Sequence, residues 1–308
     1  MIAELFTGNT PLFAYFHPIF FALLTAFYGS AALLVRELTI RWRKGWPTVF
    51  TLGVAFGILE EGLSIRSFFN PSWPALGSLG HYGRFLGINW LWTAQLMLQH
   101  SVVSIAIPVL LVSVVYRDRW AEAWVGTWMR RLLWVLLGVA SLLIAQLFRY
   151  PAPPGPYLFW AAVAAVLFVM ARFLPRHLLG FEGEPRPSVR GPRPIWYLIL
   201  GFGGVAAMYQ LPQHTPIPAV IDYFLVWIAA GAFGVAVIVM SKRGRGWGDS
   251  HRVALASGAL AFYFAISPLR GQPITVLVSV VGAIALVWVF LRTRRNEAGV
   301  MAVAPKVL

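Results

Sequence analysis

Nine apolar segments, each 17 to 28 residues long, dominate the sequence. A transmembrane α-helix needs about 20 mostly apolar residues to cross the hydrocarbon core of a bilayer, and charges, prolines or glycines separate each segment from the next. This pattern favours an all-α, polytopic bundle of about nine transmembrane helices. The predicted spans are residues 13–35, 47–69, 89–116, 132–148, 157–174, 195–211, 219–240, 253–269 and 273–291.

Composition agrees with a membrane protein and narrows its partners. Hydrophobic residues make up 59% of the 308 residues and charged residues only 12%, whereas soluble domains are about half apolar and about a quarter charged. The net charge of +14 fits basic loops beside anionic lipid headgroups better than it fits a nucleic-acid partner. The chain has no cysteine, which excludes disulfides, thiolate metal sites and thiol nucleophiles, and we expect no cofactor.

The distribution of lysine and arginine predicts the orientation of the bundle. With the N-terminus outside, the cytoplasmic loops and the C-terminal tail hold 21 of the 25 basic residues, as expected from the excess of positive charge on the cytoplasmic side. We therefore expect residues 1–308 to form one integral domain of the cytoplasmic membrane, with the C-terminus inside. Residues 175–194 are a basic cytoplasmic linker loop in this interpretation.

Two adjacent carboxylates, Glu60 and Glu61, interrupt the second apolar segment. An ionised side chain inside the membrane costs about 2.5–3.5 kcal/mol or more unless it is paired or hydrated. Glu60 lies about 20 Å along the helix from its cytoplasmic start, which places it in the outer half of the membrane. Successive residues of an α-helix point about 100° apart, so at least one of the two side chains should face the bundle or a water-filled cavity. Gly57 and Gly62 flank the pair, and small residues allow another helix or a ligand to approach the backbone.

The third segment brings polar side chains to a similar depth. His100 lies about 16 Å from the outer end of its helix, slightly below Glu60, and Ser104 is four residues further along the same face. We expect His100 to meet a glutamate across these two consecutive antiparallel helices. The candidate catalytic residues are Glu60, Glu61, His100 and Arg66. The candidate substrate-binding residues are Gln95, Gln99, Asp222 and Arg149.

Some of these charges have a purely structural interpretation. The two adjacent carboxylates could form ion pairs with Arg66 or Arg149 that only fix the packing of helices. Glu37, next to Arg36 and four residues before Arg41, is predicted to form a solvated pair at the inner boundary of the membrane.

The Glu60-Glu61 dipeptide, with Arg66 after it and His100 one helix later, resembles the CAAX-protease and bacteriocin-processing family of intramembrane glutamic peptidases. The resemblance implies that the Glu-Glu pair activates water with help from histidine and asparagine or aspartate side chains on later helices. This sequence departs from the family pattern, because Arg66 follows Glu61 by five residues instead of four and a leucine stands at the phenylalanine of the Phe-x-x-x-His element. Residues 34–71 also resemble prokaryotic multi-pass membrane proteins of no known activity.

Three classes of function account for the candidate residues. In an intramembrane hydrolase, one glutamate deprotonates water, His100 shuttles the proton or binds the developing oxyanion, and Arg66 orients a carboxylate. In a proton-coupled small-molecule transporter, a glutamate takes up a proton from outside. The third class is a non-catalytic membrane subunit or lipid-binding protein. We favour the hydrolase, which requires a glutamate within about 3.2 Å, or one water, of His100. We expect no metal, because no His-Glu-x-x-His or comparable spacing is present.

Overall fold

The computed structural model describes residues 2–7, 12–175, 192–214, 217–243, 248–266 and 273–303. Eleven helices hold most of these residues, and the remainder lies in turns, two short 3₁₀ stretches and one hairpin. The helices are α1 (Ile2–Thr7), α2 (Leu12–Tyr15), α3 (Pro18–Arg41), α4 (Trp46–Gly57 continued by Ile58–Ser64), α5 (Trp90–Val115), α6 (Thr127–Leu147), α7 (Pro154–Ala171), α8 (Pro194–His214), α9 (Ala219–Arg243), α10 (Asp249–Ile266) and α11 (Pro273–Val303).

Six of these helices are long and apolar enough to cross a membrane, namely α3, α5, α6, α7, α9 and α11. Helix α4 is less apolar because it carries Glu60 and Glu61, and the apolar part of α8 is the shorter stretch Pro194–Tyr209. Each of the nine predicted segments falls on one of the helices α3 to α11. The predicted all-α membrane architecture with several spans is therefore confirmed. Most of the predicted linker at 175–194 lies outside the described residues.

Three of the long helices contain a π-helical stretch, in which backbone hydrogen bonds join residues five apart. These stretches are Thr25–Gly29 in α3, Ile58–Ser64 in α4 and His100–Ala106 in α5. In α4 the Ile65 N–H donates to the Glu60 carbonyl over 2.7 Å. In α5 the stretch is followed by Pro108, which has no N–H for the Ser104 carbonyl and crowds it, and this favours the wider turn. Such turns are frequent at functional sites, so the side chains that they carry are candidates for function.

Helix α4 packs against α3, α5, α6 and α7, and two glycines set its distance from α5. A methyl group at Gly53 would lie 2.8 Å from the Ser101 Cα, and one at Gly57 would lie 3.2 Å from the His100 Cβ. Two small residues four positions apart are a common interface between closely packed membrane helices. The close approach holds His100 against the helix that carries the glutamates.

Helices α8 and α10 form a second closely packed pair. Methyl groups at Gly201 and Gly258 would lie 2.1 Å from the Leu255 carbonyl oxygen and 1.9 Å from the Leu198 carbonyl oxygen, so neither position has room for a side chain. Helix α9 packs on α8, α11 packs on α10, and α5 contacts all four helices from α8 to α11. Helix α5 therefore joins the first part of the bundle to the second.

A hairpin and one asparagine secure the connection between α4 and α5. Strand β1 (Arg84–Phe85) pairs with β2 (Ile88–Asn89) through a two-residue turn in which both residues have positive φ, as a type I′ turn requires. The Asn89 side chain caps α5 by accepting from the Trp92 N–H over 2.9 Å, and its amide donates to the Leu79 carbonyl. The connection is thereby held against the start of α5.

The prediction that Glu37 forms a solvated pair is wrong, because its side chain is fully buried. Glu37 lies 3.1 Å from Arg36 Nη1 and 3.4 Å from Arg41 Nε. The Trp124 N–H donates to it over 2.6 Å, and the Arg36 guanidinium lies 3.3 Å from the centre of the Trp124 ring. We call these four residues the Glu37 cluster. The loop at 116–126 folds over the end of α3 and removes the pair from solvent, which spacing within one helix does not reveal.

Candidate functional site

The side chains of Glu60, Glu61 and His100 meet between α4 and α5. All three are buried, with exposed fractions of 2%, 8% and 2%. His100 Nδ1 lies 3.0 Å from Glu60 Oε2, and its Nε2 lies 3.3 Å from Glu61 Oε1. One imidazole thus bridges two carboxyl groups, as the expected meeting of the two antiparallel helices requires. The π-helical turn allows both glutamates to face one ring, whereas successive residues of an α-helix diverge by about 100°.

Tyr28 extends this contact toward the N-terminus. It lies in the π-helical stretch of α3 and donates a short hydrogen bond to Glu60 Oε1. The same hydroxyl lies 2.8 Å from Oε1 of Glu4 on α1. A phenol has one proton to donate, so the arrangement accommodates a further proton between the two carboxyl groups.

Two serines complete the polar contacts around the glutamates. Ser67 donates to Glu61 Oε2 over 2.5 Å and accepts from Trp92 Nε1 over 3.0 Å. Ser104 Oγ lies 2.9 Å from His100 Nδ1, as their four-residue spacing predicts. The continuous chain of contacts, called the Glu60 cluster below, consists of Glu4, Tyr28, Glu60, His100, Glu61 and Ser67.

The Glu60 cluster has more acidic than basic groups. Glu60 and Glu61 share one imidazole, and among the described residues neither of them forms an ion pair with an arginine or a lysine. Unpaired carboxylates are costly in a medium of low dielectric constant, so the cluster must share or retain protons. The described contacts therefore give no support to ion pairs with arginine that only fix the bundle.

A cavity of about 280 Å³ lies beside the cluster. The carboxyl groups of the cluster and Tyr28 form its polar wall, and apolar side chains of α3, α5 and α6 form the rest, including Phe27, Leu96 and Ile144. Trp73, in the connection between α4 and α5, also lines the cavity. The volume is near the lower end of the range for small-molecule sites, about 300–1,000 Å³. The cluster therefore faces space in which a ligand group and water fit.

Arg66 and Arg149 make their contacts away from the glutamates. Arg66 follows α4 with a φ of +66°, and its Nη1 donates to the Tyr150 carbonyl over 3.0 Å. Arg149 is exposed beyond the end of α6, where its Nε donates to the Gln146 carbonyl over 3.0 Å. The role of Arg66 in orienting a carboxylate stays a prediction that none of these contacts supports.

The remaining predicted substrate-binding residues lie elsewhere. Gln95 Nε2 donates to the Tyr209 carbonyl of α8 over 3.2 Å, and Gln95 and Gln99 line a narrow cavity of about 20 Å³ toward α8 and α10. Asp222 is buried on α9 and accepts from the Tyr82 hydroxyl over 2.9 Å. Of the predicted site residues, the structure brings together Glu60, Glu61 and His100.

Glu60, Glu61 and His100 could also hold a divalent cation, because one ligand atom from each lies within 4.8 Å of the others. Carboxylate and imidazole groups are ligands for Zn²⁺ and related ions. In the described conformation, however, each oxygen of the two glutamates lies within 3.3 Å of a polar atom of the protein. This arrangement fits shared protons as well as it fits a metal ion, and the metal-free site stays a prediction.

Sequence reasoning missed Tyr28, Glu4 and Ser67. A signal for Tyr28 exists, since a tyrosine hydroxyl buried in an apolar segment needs a hydrogen-bond partner. The four-residue spacing of Gly53 and Gly57 is a signal for a different feature, since it marks the face of α4 that packs against α5. Glu4 has no local signal, since its position depends on the packing of α1 against α5, α10 and α11.

Comparison with known proteins identifies a protein family but no individual relative. No curated protein and no solved structure matches it. The resemblance to intramembrane glutamic peptidases gains no support from these comparisons. A family described as "Uncharacterized membrane protein family" matches residues 1–178, a range that contains every residue of the Glu60 cluster. Because the match covers more than half of the 308 residues, the chain belongs to this family of membrane proteins.

Proposed function

We propose that the Glu60 cluster is the catalytic centre of an intramembrane hydrolase. The observation that carries the proposal is the bridging of Glu60 and Glu61 by His100, at 3.0 and 3.3 Å, beside a cavity that the two glutamates line. General acid–base partners must lie about 2.6–3.2 Å or one water apart, and the first contact lies within that distance, although its angles are not those of a hydrogen bond. Carboxylates that only stabilised the bundle would be expected to pair with guanidinium groups, as Glu37 does.

Glu61 is the general base in this proposal. Its side chain is 11% exposed, against 2% for Glu60, and it borders the cavity. Glu61 removes a proton from water as the water oxygen attacks a carbonyl carbon of the substrate. Glu61 then donates this proton to the leaving group when the bond to that group breaks, while His100, which contacts Glu61 but does not line the cavity, holds the carboxylate in position. Glu60, which accepts from Tyr28, orients the imidazole and stabilises its protonated form.

The cavity wall indicates the class of substrate. Because most of the lining is apolar, the cavity favours an ester or amide bond carried on a hydrophobic chain. The acidic wall would repel an anionic group beside the bond that is cleaved. We therefore propose an uncharged or cationic amphiphile as the substrate.

Hydrolysis in ¹⁸O-labelled water tests the proposal across several candidate substrates at once. The purified protein is incubated with neutral and cationic lipid esters and with apolar peptides, and mass spectrometry detects ¹⁸O in newly formed carboxylic acids. Glu61→Gln should lower the labelled product at least about 100-fold, because removal of a general base costs about 10²–10⁴ in rate. His100→Asn should have a similar effect.

The matched control for this experiment is Glu122→Gln, which removes a carboxylate that is 59% exposed and forms a surface pair with Arg119. It should leave the labelled product unchanged. If Glu61→Gln and Glu60→Gln gave as much product as Glu122→Gln, the cluster would not be the catalytic centre.

A second candidate function, a proton-coupled carrier, is favoured by the continuous chain of contacts from Glu4 to Ser67. Such a chain can pass a proton between groups inside the membrane. A carrier predicts substrate-dependent proton uptake into proteoliposomes, detected with an internal pH indicator and lost in Glu60→Gln. Proton uptake without ¹⁸O-labelled product would favour the carrier, and labelled product without uptake would favour the hydrolase.

We further propose that helices α3 to α11 all cross a prokaryotic cytoplasmic membrane, with the N-terminus outside and the C-terminus inside. The helix found at each apolar segment and the 21 of 25 basic residues on one side support this topology. The basic loops would then lie beside anionic lipid headgroups. Because the chain has no cysteine, Ser72→Cys and Glu122→Cys report the topology directly. An impermeant maleimide applied to cells should label Ser72→Cys directly and Glu122→Cys only after permeabilisation. The reverse labelling would show that the N-terminus lies inside.

A further inference from the structure

A groove of about 660 Å³ lies between α8, α10 and α11, in the part of the chain beyond the family match. Arg193 and Arg294 line one end of it, and apolar side chains such as Leu198, Phe264 and Phe290 line most of the rest. We propose that this groove binds one anionic phospholipid from the leaflet at its basic end. The proposal is independent of the hydrolase, because the groove contains no residue of the Glu60 cluster.

The length of the groove fits one lipid leaflet. On α10 the lining runs from Ala254 to Phe264, and on α11 it runs from Arg294 back to Ala283. At about 1.5 Å per residue, these stretches are about 15–17 Å long, which is close to half of the hydrocarbon core of about 30 Å. An acyl chain whose headgroup lies at the arginines would therefore end near the middle of the membrane.

The charge of the lining indicates the headgroup. The described residues of the groove include two guanidinium groups and no carboxylate, and both arginines are exposed. Arginine binds phosphate through paired, charge-assisted hydrogen bonds. The groove thus offers a phosphate site directly above an apolar channel.

Small residues on α10 make room for the chain. Ala254, Ser257 and Ala261 are three and four residues apart, so they share one face of the helix. The lining combines two exposed guanidinium groups at one end with an apolar stretch about as long as one leaflet, so a lipid fits the groove better than an apolar helix of a partner protein.

Native mass spectrometry after reconstitution tests this proposal. The full-length protein is equilibrated with bilayers of phosphatidylcholine and phosphatidylglycerol in equal amounts, extracted in mild detergent, and analysed for retained lipid. The wild type should retain phosphatidylglycerol in excess. The double variant Arg193→Gln/Arg294→Gln should lose about five-fold in retention for each arginine removed, as expected for a basic residue that interacts with an anionic lipid.

Two comparisons make the result specific to the groove. Arg292→Gln/Arg295→Gln removes two charges from the same helix end without altering the groove lining, and it should retain the lipid as the wild type does. Ala261→Phe should lower retention while both groove arginines remain. The proposal fails if the wild type retains both lipids equally, or if the control pair lowers retention as much as the groove pair.

Discussion

The Glu37 cluster and the Glu60 cluster are both buried groups of ionisable side chains on neighbouring helices, but only in the first is the carboxylate paired with arginine. Glu37 lies against two guanidinium groups and accepts from a backbone N–H. Glu60 and Glu61 share one imidazole and, among the described residues, contact no arginine or lysine. The first cluster therefore has the composition of a structural ion pair, and the second has an excess of acid that must hold protons.

This difference separates two uses of a carboxylate inside a membrane protein. A carboxylate paired with arginine stabilises one conformation, because each buried charge keeps a partner only while the loop at 116–126 covers the pair. A group with excess acid gains little from its own contacts, yet it can accept and release protons beside a cavity. Burial alone did not distinguish the two clusters, whereas the identity of their partners did.

The largest expected effect comes from Glu37→Gln. The change keeps the shape of the side chain but leaves Arg36 buried without its counter-charge, which should lower the free energy of unfolding by about 3–5 kcal/mol. Glu61→Gln should change that free energy by no more than about 1 kcal/mol, because it removes a charge from an acidic group. Denaturant unfolding of both variants in detergent, followed by tryptophan fluorescence, measures the contrast. Equal destabilisation would erase the distinction between the clusters.

A smaller loss is expected when the approach of α4 to α5 is opened. Gly53→Ala places a methyl group 2.8 Å from the Ser101 Cα, so the two helices must separate, at a cost of about 1–3 kcal/mol. The separation should also move His100 away from Glu61 and lower the ¹⁸O-labelled product. The control is Gly138→Ala on α6, where no atom of another described helix lies within 4 Å of the added methyl group. If Gly53→Ala were as stable and as active as this control, the glycine contact would not hold the Glu60 cluster together.

The parts of this picture that the sequence predicted depend on distance along a helix. Counting residues inward from each end of two antiparallel helices placed Glu60 and His100 at similar depth, and they lie 3.0 Å apart. The same counting paired His100 with Ser104. Depth and spacing are local properties of a helix, so they do not depend on the tertiary structure.

The parts that the sequence did not predict depend on which elements cover a helix. Gln95 and Gln99 face α8 and α10 because those helices occupy that side of α5. Glu37 is buried because the loop at 116–126 covers it. Glu4 contacts Tyr28 because α1 packs against α5, α10 and α11. No periodicity within one segment carries this information, since it arises from contacts between residues distant in sequence.

Tyr28→Phe tests whether the acidic cluster is organised for activity rather than for stability. The substitution keeps the ring, which packs on Phe56 at 5.7 Å, and removes the hydroxyl between Glu4 and Glu60. The free energy of unfolding should change by about 0.5–1.5 kcal/mol, the net value of one hydrogen bond. The control Tyr197→Phe removes a buried hydroxyl that donates to the Met240 carbonyl and should cost a similar amount. The ¹⁸O-labelled product should fall for Tyr28→Phe and not for Tyr197→Phe. An equal fall in both variants would show that the Tyr28 hydroxyl contributes to stability and has no separate role in activity.

The smallest expected effect is that of a chelator. Each oxygen of Glu60 and Glu61 already has a polar neighbour within 3.3 Å, so we predict that shared protons offset the excess acid and that no dication is required to hold the Glu60 cluster together. Dialysis of the protein against EDTA, followed by elemental analysis, should leave the melting temperature and the ¹⁸O-labelled product unchanged. If EDTA abolished the product and Zn²⁺ restored it, Glu60, Glu61 and His100 would be metal ligands. In that case the two clusters would differ in the kind of cation that offsets their carboxylates. A bound dication would do so in the Glu60 cluster, and arginine does so in the Glu37 cluster.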